Sequence, residues 1–523
     1  MPERTLEYRP RGMNMWDTWG LEHAGRMHLF HLQRLEHESP RPQPEEDWLG
    51  HAVSTDLLHW QEQPLALGPN APGTLDDLQP WTGCVLGHQG TFYMYYTMRA
   101  SADLSNGQRI GLATSRDLTH WQRHPGNPVI EPDPRYYVSH AKPLPPGAVS
   151  PKDLPRVPGV VDCRDLFVVP DPQGRGWLGF YAARVPAEEG PEGAVVATVR
   201  SDDLVHWQHL PPAFVPRKYN SIEVPDVFCL EGRWFLTCLT GNQYGNRGLF
   251  SDRYATRGTI YAVADRPEGP YREIEGDTVL MCGDAQCGYS CRSFLFQGER
   301  NVLYTQSPAH WVATLSPPML LRATPDGRLR MAYSPRVQGW RTRTLVEVGQ
   351  TPPVQRLPYC HPQWNVSGGE WRIEGGAYWG QSRTGWQIAD LGPGAPSVEA
   401  EARVTLQRGT AAGLALRANT NSVWAGGDLV IALDAAEGCV FVARTQEFEE
   451  IYKRQCAVRL GQAYHLRVCQ RGQRMEVFVD DILQLQVTVQ KHDRPSPGLG
   501  LFVDRAETSV TGLAAYALAD PAP

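Results

Sequence analysis

The sequence lacks any segment that would carry it into or across a membrane. No apolar run follows the basic residues of the opening MPERTLEYRPRG, and no stretch of about 20 apolar residues occurs later. We therefore expect a cytoplasmic protein with no membrane partner. The formal net charge of -7 disfavours nucleic acid as a partner as well, because a negative field repels phosphates.

The motifs of most metal, nucleotide and hydrolase sites are also missing. The 11 cysteines include no CxxC pair, so we predict buried thiols rather than a structural zinc site or a disulfide framework. A Walker loop, a GxSxG elbow and an HExxH helix are absent. We predict no metal and no cofactor, and infer that any chemistry comes from carboxylates.

What the sequence does contain is a repeat typical of short strands joined by tight turns. AVSTDLLHWQ (Ala52–Gln61) returns as ATSRDLTHWQ (Ala113–Gln122) and as TVRSDDLVHWQ (Thr198–Gln208), each after an apolar or aromatic strand pair. Two degenerate copies follow. Five such units over residues 10–340 predict an all-β chain with a five-bladed β-propeller. In each copy we expect the Asp to cap a turn, and the His and Trp to pack between blades.

Beyond residue 340 the repeat stops, and a Pro-containing connector leads into closely spaced alternating strands. The segment YHLRVCQRGQRMEVFVDDILQL resembles the concanavalin-like sandwiches that are often attached to carbohydrate enzymes. We predict a propeller domain over residues 1–345, a linker over 346–365 and a C-terminal concanavalin-like β-sandwich over 366–523. The sequence assigns no oligomeric state.

Three acidic residues stand where a predicted unit begins, and the innermost strand of each blade lines the central channel. Asp17 lies in WDTW, whose aromatic rings suit a sugar pocket, although a turn aspartate among core tryptophans is an equal alternative. Asp165 follows Arg164 inside an apolar strand, where a structural ion pair is the competing interpretation. Glu223 has apolar neighbours, and burial would favour a general acid there.

The order WDTWGLE, WLGHAVSTDLLHW, WTG, RDL and EVPDVF resembles glycoside hydrolase family 32, the invertases, levanases and inulinases. That family pairs a five-bladed propeller with a sandwich. The resemblance implies that Asp17 is the nucleophile, Asp165 the transition-state stabiliser and Glu223 the acid/base. WDTW is also similar to the WDSW of family 68, while RDL and Val224 depart from the RDP and EC-P motifs of family 32.

The same resemblance, together with the aromatic residues beside Asp17, implies a set of sugar contacts. The predicted substrate-binding residues are Trp16, Trp19, Gln33, Trp48, His51, Trp81, Arg164 and Tyr289.

We therefore predict a glycosidase with a carbohydrate substrate, most simply a β-fructofuranoside, and a retaining two-carboxylate mechanism. One alternative is an inverting arabinofuranosidase or xylosidase of the related five-bladed families, in which the two carboxyl groups stand farther apart. A second is a non-catalytic carbohydrate-binding protein, since propellers host many functions. Such a protein would need the aromatic residues but not the acids.

Overall fold

The computed structural model describes residues 8–35, 47–102, 107–140, 161–186, 193–241, 257–283, 289–309, 312–346, 354–356, 369–392, 394–418, 428–444, 449–471, 474–488 and 495–519. The chain divides after Met331 into two compact units. We call Glu7–Met331 the N-terminal unit and Ala332–Pro523 the C-terminal unit. Within the described ranges, no helix is long and apolar enough to cross a bilayer.

The N-terminal unit contains four antiparallel sheets, each with four strands in chain order. The first has β1 (Met13–His23), β2 (Arg26–Leu35), β3 (Trp48–Ser54) and β4 (Gln61–Glu62). The second has β5 (Gln79–His88), β6 (Thr91–Arg99), β7 (Arg109–Ser115) and β8 (Gln122–Arg123). The third has β9 (Cys163–Pro170), β10 (Trp177–Arg184), β11 (Ala194–Ser201) and β12 (Gln208–Phe214). The fourth has β13 (Glu223–Leu230), β14 (Arg233–Gly241), β15 (Arg257–Ala264) and β16 (Val279–Gly283).

A further group of strands follows the fourth sheet: β17 (Tyr289–Phe296), β18 (Glu299–Ala309), β19 (Val312–Leu315), β20 (Met319–Ala323) and β21 (Leu329–Tyr333). The first strands of successive groups lie against one another, β1 on β5, β5 on β9, β9 on β13, β13 on β17 and β17 on β1. This cyclic contact makes the arrangement propeller-like. The prediction of an all-β chain is confirmed.

The repeated DL-HW segment forms the same turn in its three copies. In the first copy the Ser54 hydroxyl accepts the amide of Leu57, and Asp56 accepts the amides of Leu58 and His59. The second and third copies repeat these bonds. The leucine of each copy takes a φ of 64–66°. The prediction that the aspartate caps a turn is confirmed.

The prediction that the histidines of these segments pack between blades is wrong for the second and third copies. The side chains of His120 and His206 are each 87% exposed, because each ring pairs with the aspartate of its own turn. The tryptophan behaves as expected in the third copy. Trp207 meets Tyr95 of the second sheet, with 5.7 Å between ring centroids, so the repeat contributes apolar contact between neighbouring sheets.

The C-terminal unit is built of antiparallel strands that enclose a large apolar cluster and a smaller second one, after a short 3-10 helix, Pro335–Trp340. Its long strands β27 and β34 pair along most of their length, which supplies a continuous apolar face. The strands are β22 (Arg341–Val346), β23 (Val354–Arg356), β24 (Gly369–Glu374), β25 (Ala377–Ser382), β26 (Trp386–Gly392), β27 (Val398–Ala418), β28 (Asp428–Asp434), β29 (Cys439–Arg444), β30 (Glu449–Gln455), β31 (Ala463–Arg471), β32 (Arg474–Val479), β33 (Ile482–Thr488) and β34 (Pro495–Leu518).

Candidate active site

The first strands of the N-terminal unit share an irregularity at the place where the acids lie. The pairing of β1, β5, β9, β13 and β17 with the next strand shifts register once in each case. At three of these bulges a non-glycine residue has left-handed backbone, with φ of 31° at Asp17, 63° at Asp165 and 52° at Val224. Such conformations cost roughly 1–3 kcal/mol each and are concentrated at functional sites.

Asp17 is held at the contact between the first and second sheets. Its side chain is buried, with 6% of the residue exposed, and its Oδ2 accepts a hydrogen bond from the Thr82 hydroxyl. Thr82 occupies the bulge of β5, between Trp81 and Gly83. A donor from the neighbouring strand therefore orients the Asp17 carboxylate and favours its charged form.

Asp165 and Glu223 lie beside each other at the contact between the third and fourth sheets. Each residue is 3% exposed. The Val224 amide, next to Glu223, donates to Asp165 Oδ2 at 2.9 Å. Arg164 lies between the two acids, with Nη2 3.2 Å from Glu223 Oε1 and Nε 3.5 Å from Asp165 Oδ2. One guanidinium therefore contacts both carboxyl groups.

The pKa values of two acids near Arg164 shift in opposite directions. Burial raises the pKa of Asp165, the nearby Glu223 adds to the rise, and the charge of Arg164 opposes it without reversing it. For Asp162, burial acts upward too, but the charges and hydrogen bonds of Arg164 and Arg184 outweigh it and lower the pKa. Arg164 thus favours ionised Asp165, yet burial is the larger effect.

A second buried guanidinium, which sequence reasoning missed, lies beneath these acids. Arg292 of β17 is 1% exposed and donates to three backbone carbonyls. Nη2 lies 2.7 Å from the oxygen of Asp165 and 3.1 Å from that of Pro225, and Nη1 donates to the oxygen of Gly83. Arg292 therefore joins β5, β9 and β13 at their bulges.

Two tryptophans stacked with arginines flank the Asp17–Thr82 hydrogen bond: Trp16 precedes Asp17 in the chain, and Trp81 precedes Thr82. The Arg34 guanidinium stacks over Trp16 at 4.9 Å, and that of Arg99 over Trp81 at 4.1 Å. Asp47 links the two pairs, since it accepts the Trp81 indole N–H at 2.9 Å and the Arg34 Nε–H at 2.7 Å. Both tryptophans keep part of their surface exposed, so their rings can meet a ligand.

The other predicted sugar contacts are more dispersed. Gln33 pairs with Met15 on one side and Trp48 on the other, and its side-chain oxygen lies over Gly50, where an added methyl group would be 2.3 Å away. Trp19 is 2% exposed in an apolar cluster, as the core alternative required.

His51 and Tyr289 are not placed beside the acids by any described contact. The His51 ring stacks on Phe30 at 4.5 Å and hydrogen-bonds to His28 at 3.0 Å, and burial lowers its pKa to about 3. Tyr289 begins β17, and its side chain lies outside the described residues.

Two signals in the sequence pointed to the residues that were missed. Thr82 is the middle residue of WTG, whose flanking residues Trp81 and Gly83 were recognised. Arg292 is a charge within an apolar strand, which is the criterion that singled out Arg164. Within the described ranges, no cluster of three or more His, Cys, Asp or Glu side chains could hold a metal ion.

Comparison with known proteins finds a family model that matches the first part of the chain. Residues 13–142 match the glycosyl hydrolases family 32 N-terminal domain. This segment of the chain is therefore similar to family 32. The family 32 resemblance of its motifs is thereby confirmed, while the family 68 likeness of WDTW stays a prediction.

Relatives with curated names agree with this relationship over part of the chain. A sucrose-6-phosphate hydrolase of Zymomonas mobilis is 26% identical over 43% of this chain and 41% of its own length. The levanbiose-producing levanase of Bacillus subtilis is 25% identical over 43% of this chain and 38% of its own length. The alignments thus span about two fifths of these relatives.

Solved structures match over nearly the whole chain. Fructan 1-exohydrolase IIa of Cichorium intybus superposes with a TM-score of 0.67 at 14% identity, covering 99% of this chain and 97% of that one. The sucrose-6-phosphate hydrolase of Lactobacillus gasseri gives 0.65 at 15% identity, covering 99% and 93%. At such identities the likeness shows a shared fold.

Proposed function

We propose that this family 32 relative is a retaining glycoside hydrolase that cleaves β-fructofuranosides. One observation carries the proposal: Asp17, Asp165 and Glu223 are all buried at bulges or strand starts of contacting first strands. The relatives are named for hydrolysis of sucrose phosphate and levan, which supports the substrate class. We also propose a five-bladed propeller over residues 1–345, a linker over 346–365 and a sandwich over 366–523.

In the first chemical step, Glu223 donates its proton to the leaving oxygen while an Asp17 oxygen attacks the anomeric carbon. The bond to the leaving group breaks, and a glycosyl ester forms on Asp17. The Thr82 hydroxyl keeps the other Asp17 oxygen in place. Glu223, now a carboxylate, then takes a proton from water, which attacks the same carbon and releases a sugar of retained configuration.

Asp165 stabilises the oxocarbenium-like transition state through its negative charge and its hydrogen bonds to sugar hydroxyls. The Val224 amide and Arg164 hold its carboxylate in position. Trp16 and Trp81 offer flat apolar surfaces to the sugar. A retaining mechanism predicts that the Asp17 and Glu223 carboxyl groups lie about 5–5.5 Å apart, against roughly 6.5–9.5 Å for inversion.

The test uses purified protein with sucrose, short fructans and an aryl β-fructofuranoside. Asp17→Asn should lower turnover by several orders of magnitude while sugar binding survives, because the nucleophile is lost and its shape is kept. Glu223→Gln should spare the first step on the activated aryl substrate, so that added mass accumulates on the peptide containing Asp17. The control is Glu22→Gln, which also replaces a carboxylate by an amide, near the end of β1, the strand that contains Asp17. This variant should leave turnover unaffected.

Other results would favour the alternatives. Loss of all reaction in Glu223→Gln without an adduct, with an azide product of inverted configuration, would replace double displacement by inversion. Binding of sugar by the unaltered protein without turnover of any furanoside or pyranoside would make it a carbohydrate-binding protein.

A further inference from the structure

We propose that Arg292 is a positioning residue, which sets the relative placement of the Asp165 and Glu223 carboxylates by binding the backbone of three bulges at once. This inference rests on the proposed function for its effect on turnover. It also predicts that the positions of the two carboxylates depend on the buried Arg292 side chain. This dependence can be measured without any substrate.

The three carbonyls that Arg292 binds all belong to the bulges of the first strands. Gly83 follows Thr82, which donates to Asp17, and Pro225 follows Val224, which donates to Asp165. The Asp165 carbonyl belongs to the left-handed residue itself. At a bulge the ladder is locally disrupted, so carbonyl groups there need another donor. Arg292 supplies donors to three strands from a fourth.

A guanidinium is suited to this task, and an ammonium is not. Its donors form a flat, rigid fork, so two nitrogens can address carbonyls that point in different directions. The Phe167 ring closes one side at 5.3 Å from the guanidinium carbon. Gly83 must remain a glycine, since an added Cβ would lie 1.8 Å from the Tyr95 carbonyl oxygen. The absence of a side chain at Gly83 thus lets β5 approach the backbone of β6 closely at the bulge whose carbonyl Arg292 binds.

The charge of Arg292 also acts on Asp165, one of the two acids that it positions. The Arg292 guanidinium interacts electrostatically with four nearby groups, Asp17, Cys84, Asp165 and Asp226. Burial is the main cause of the lowered pKa of Arg292 itself. The charged or titratable groups that face the Asp165 carboxylate are Arg164 of the same strand, Glu223 of β13 and Arg292 of β17. Loss of the Arg292 charge should raise the pKa of Asp165 further, because a nearby cation favours the carboxylate.

The experiment compares Arg292→Lys, Arg292→Met and a control, Arg300→Lys. Arg300 also stacks on an aromatic ring, 4.6 Å above Phe228, but it donates a hydrogen bond to the Ser293 hydroxyl and not to a bulge carbonyl. Arg292→Lys should lower kcat by about 100-fold with little change in KM, the effect of roughly 1 Å of misplacement. Arg292→Met should in addition move the acid limb of the kcat/KM profile to higher pH. Arg300→Lys should do neither.

Crystal structures of the unaltered protein, Arg292→Lys and Arg300→Lys provide the second readout. We expect the Asp165 and Glu223 carboxylates to move by more than about 0.5 Å only in Arg292→Lys. Unmoved carboxylates, or losses of kcat that match in Arg292→Lys and Arg300→Lys and follow lost stability, would overturn the inference. If the unaltered protein turns over no sugar, the kinetic measurements contradict the proposed function. The crystal structures then still test the role of Arg292, because the carboxylate positions do not depend on turnover.

Discussion

The opposite pKa shifts of Asp162 and Asp165 predict opposite effects of the same substitution. Burial raises the pKa of Asp165 in the folded protein, so the stability of the folded state decreases as pH rises through that pKa. Asp165→Asn removes the charge and should stabilise the protein at pH 7. Asp162 has a lowered pKa because Arg164 and Arg184 outweigh its burial, so its contribution is present at pH 7 and lost as pH falls. Asp162→Asn should therefore destabilise.

The contacts give the size of each effect. An asparagine oxygen at position 165 can still accept the Val224 amide at 2.9 Å, so little hydrogen bonding is lost. For each unit by which the pKa of Asp165 is raised, Asp165→Asn should increase the free energy of unfolding by about 1.4 kcal/mol. Each kcal/mol should raise Tm by about 2–4 °C in a large domain. Asp162→Asn removes the carboxylate of a buried ion pair, in which Arg184 Nη2 lies 2.9 Å from Asp162 Oδ2. Breaking such a pair lowers the free energy of unfolding by about 3–5 kcal/mol.

Thermal unfolding of both variants from pH 4 to pH 8 tests this reasoning, with activity measured alongside. Asp165→Asn should have a higher Tm than the unaltered protein at pH 7, a difference that shrinks towards pH 4, and a kcat/KM about 10²–10³-fold lower. Asp162→Asn should have a lower Tm at pH 7. If both variants shift Tm in the same direction at pH 7, or if the difference for Asp165→Asn does not depend on pH, the electrostatic assignment is refuted.

Three further outcomes follow from the site and the predicted domains. Thr82→Val should lower kcat by about 10–100-fold with KM unchanged, because Asp17 loses a charge-assisted hydrogen bond, and Thr82→Ser should restore it; equal kinetics for both variants would contradict this. Trp81→Phe should raise KM more than it lowers kcat, since the Asp47 contact that orients the ring is lost; an unchanged KM would exclude a sugar contact there. Residues 1–345 expressed alone should fold but be less soluble than the full chain in a centrifugation assay; equal solubility and stability would mean two loosely tethered domains.

Much of the fold could be predicted because its signals are local. A DL-HW segment carries its own turn, in which Ser54 and Asp56 accept neighbouring amides, so the repeat was visible without any long-range information. Alternating apolar residues likewise predicted the strands. The exposure of His120 and His206 was not predicted, although each ring pairs with the aspartate three residues before it in its own turn.

The candidate site was predicted only in part. The local contexts of Asp17, Asp165 and Glu223 singled them out as candidates, and the family resemblance implied the role of each. The contacts of His51 with Phe30 and His28 could not be foreseen, because the face of β3 on which a side chain lies depends on the register of pairing.

The sequence by itself determined the all-β architecture, the turn chemistry of the repeats and the identity of the buried acids, since each follows from residues close together along the chain. The tertiary structure alone decided which strands meet. Thr82 reaches Asp17 across 65 positions, and Arg292 reaches Gly83 across 209. Such contacts arise from the closure of the first strands on one another, and no local pattern specifies which carbonyl a buried guanidinium will bind.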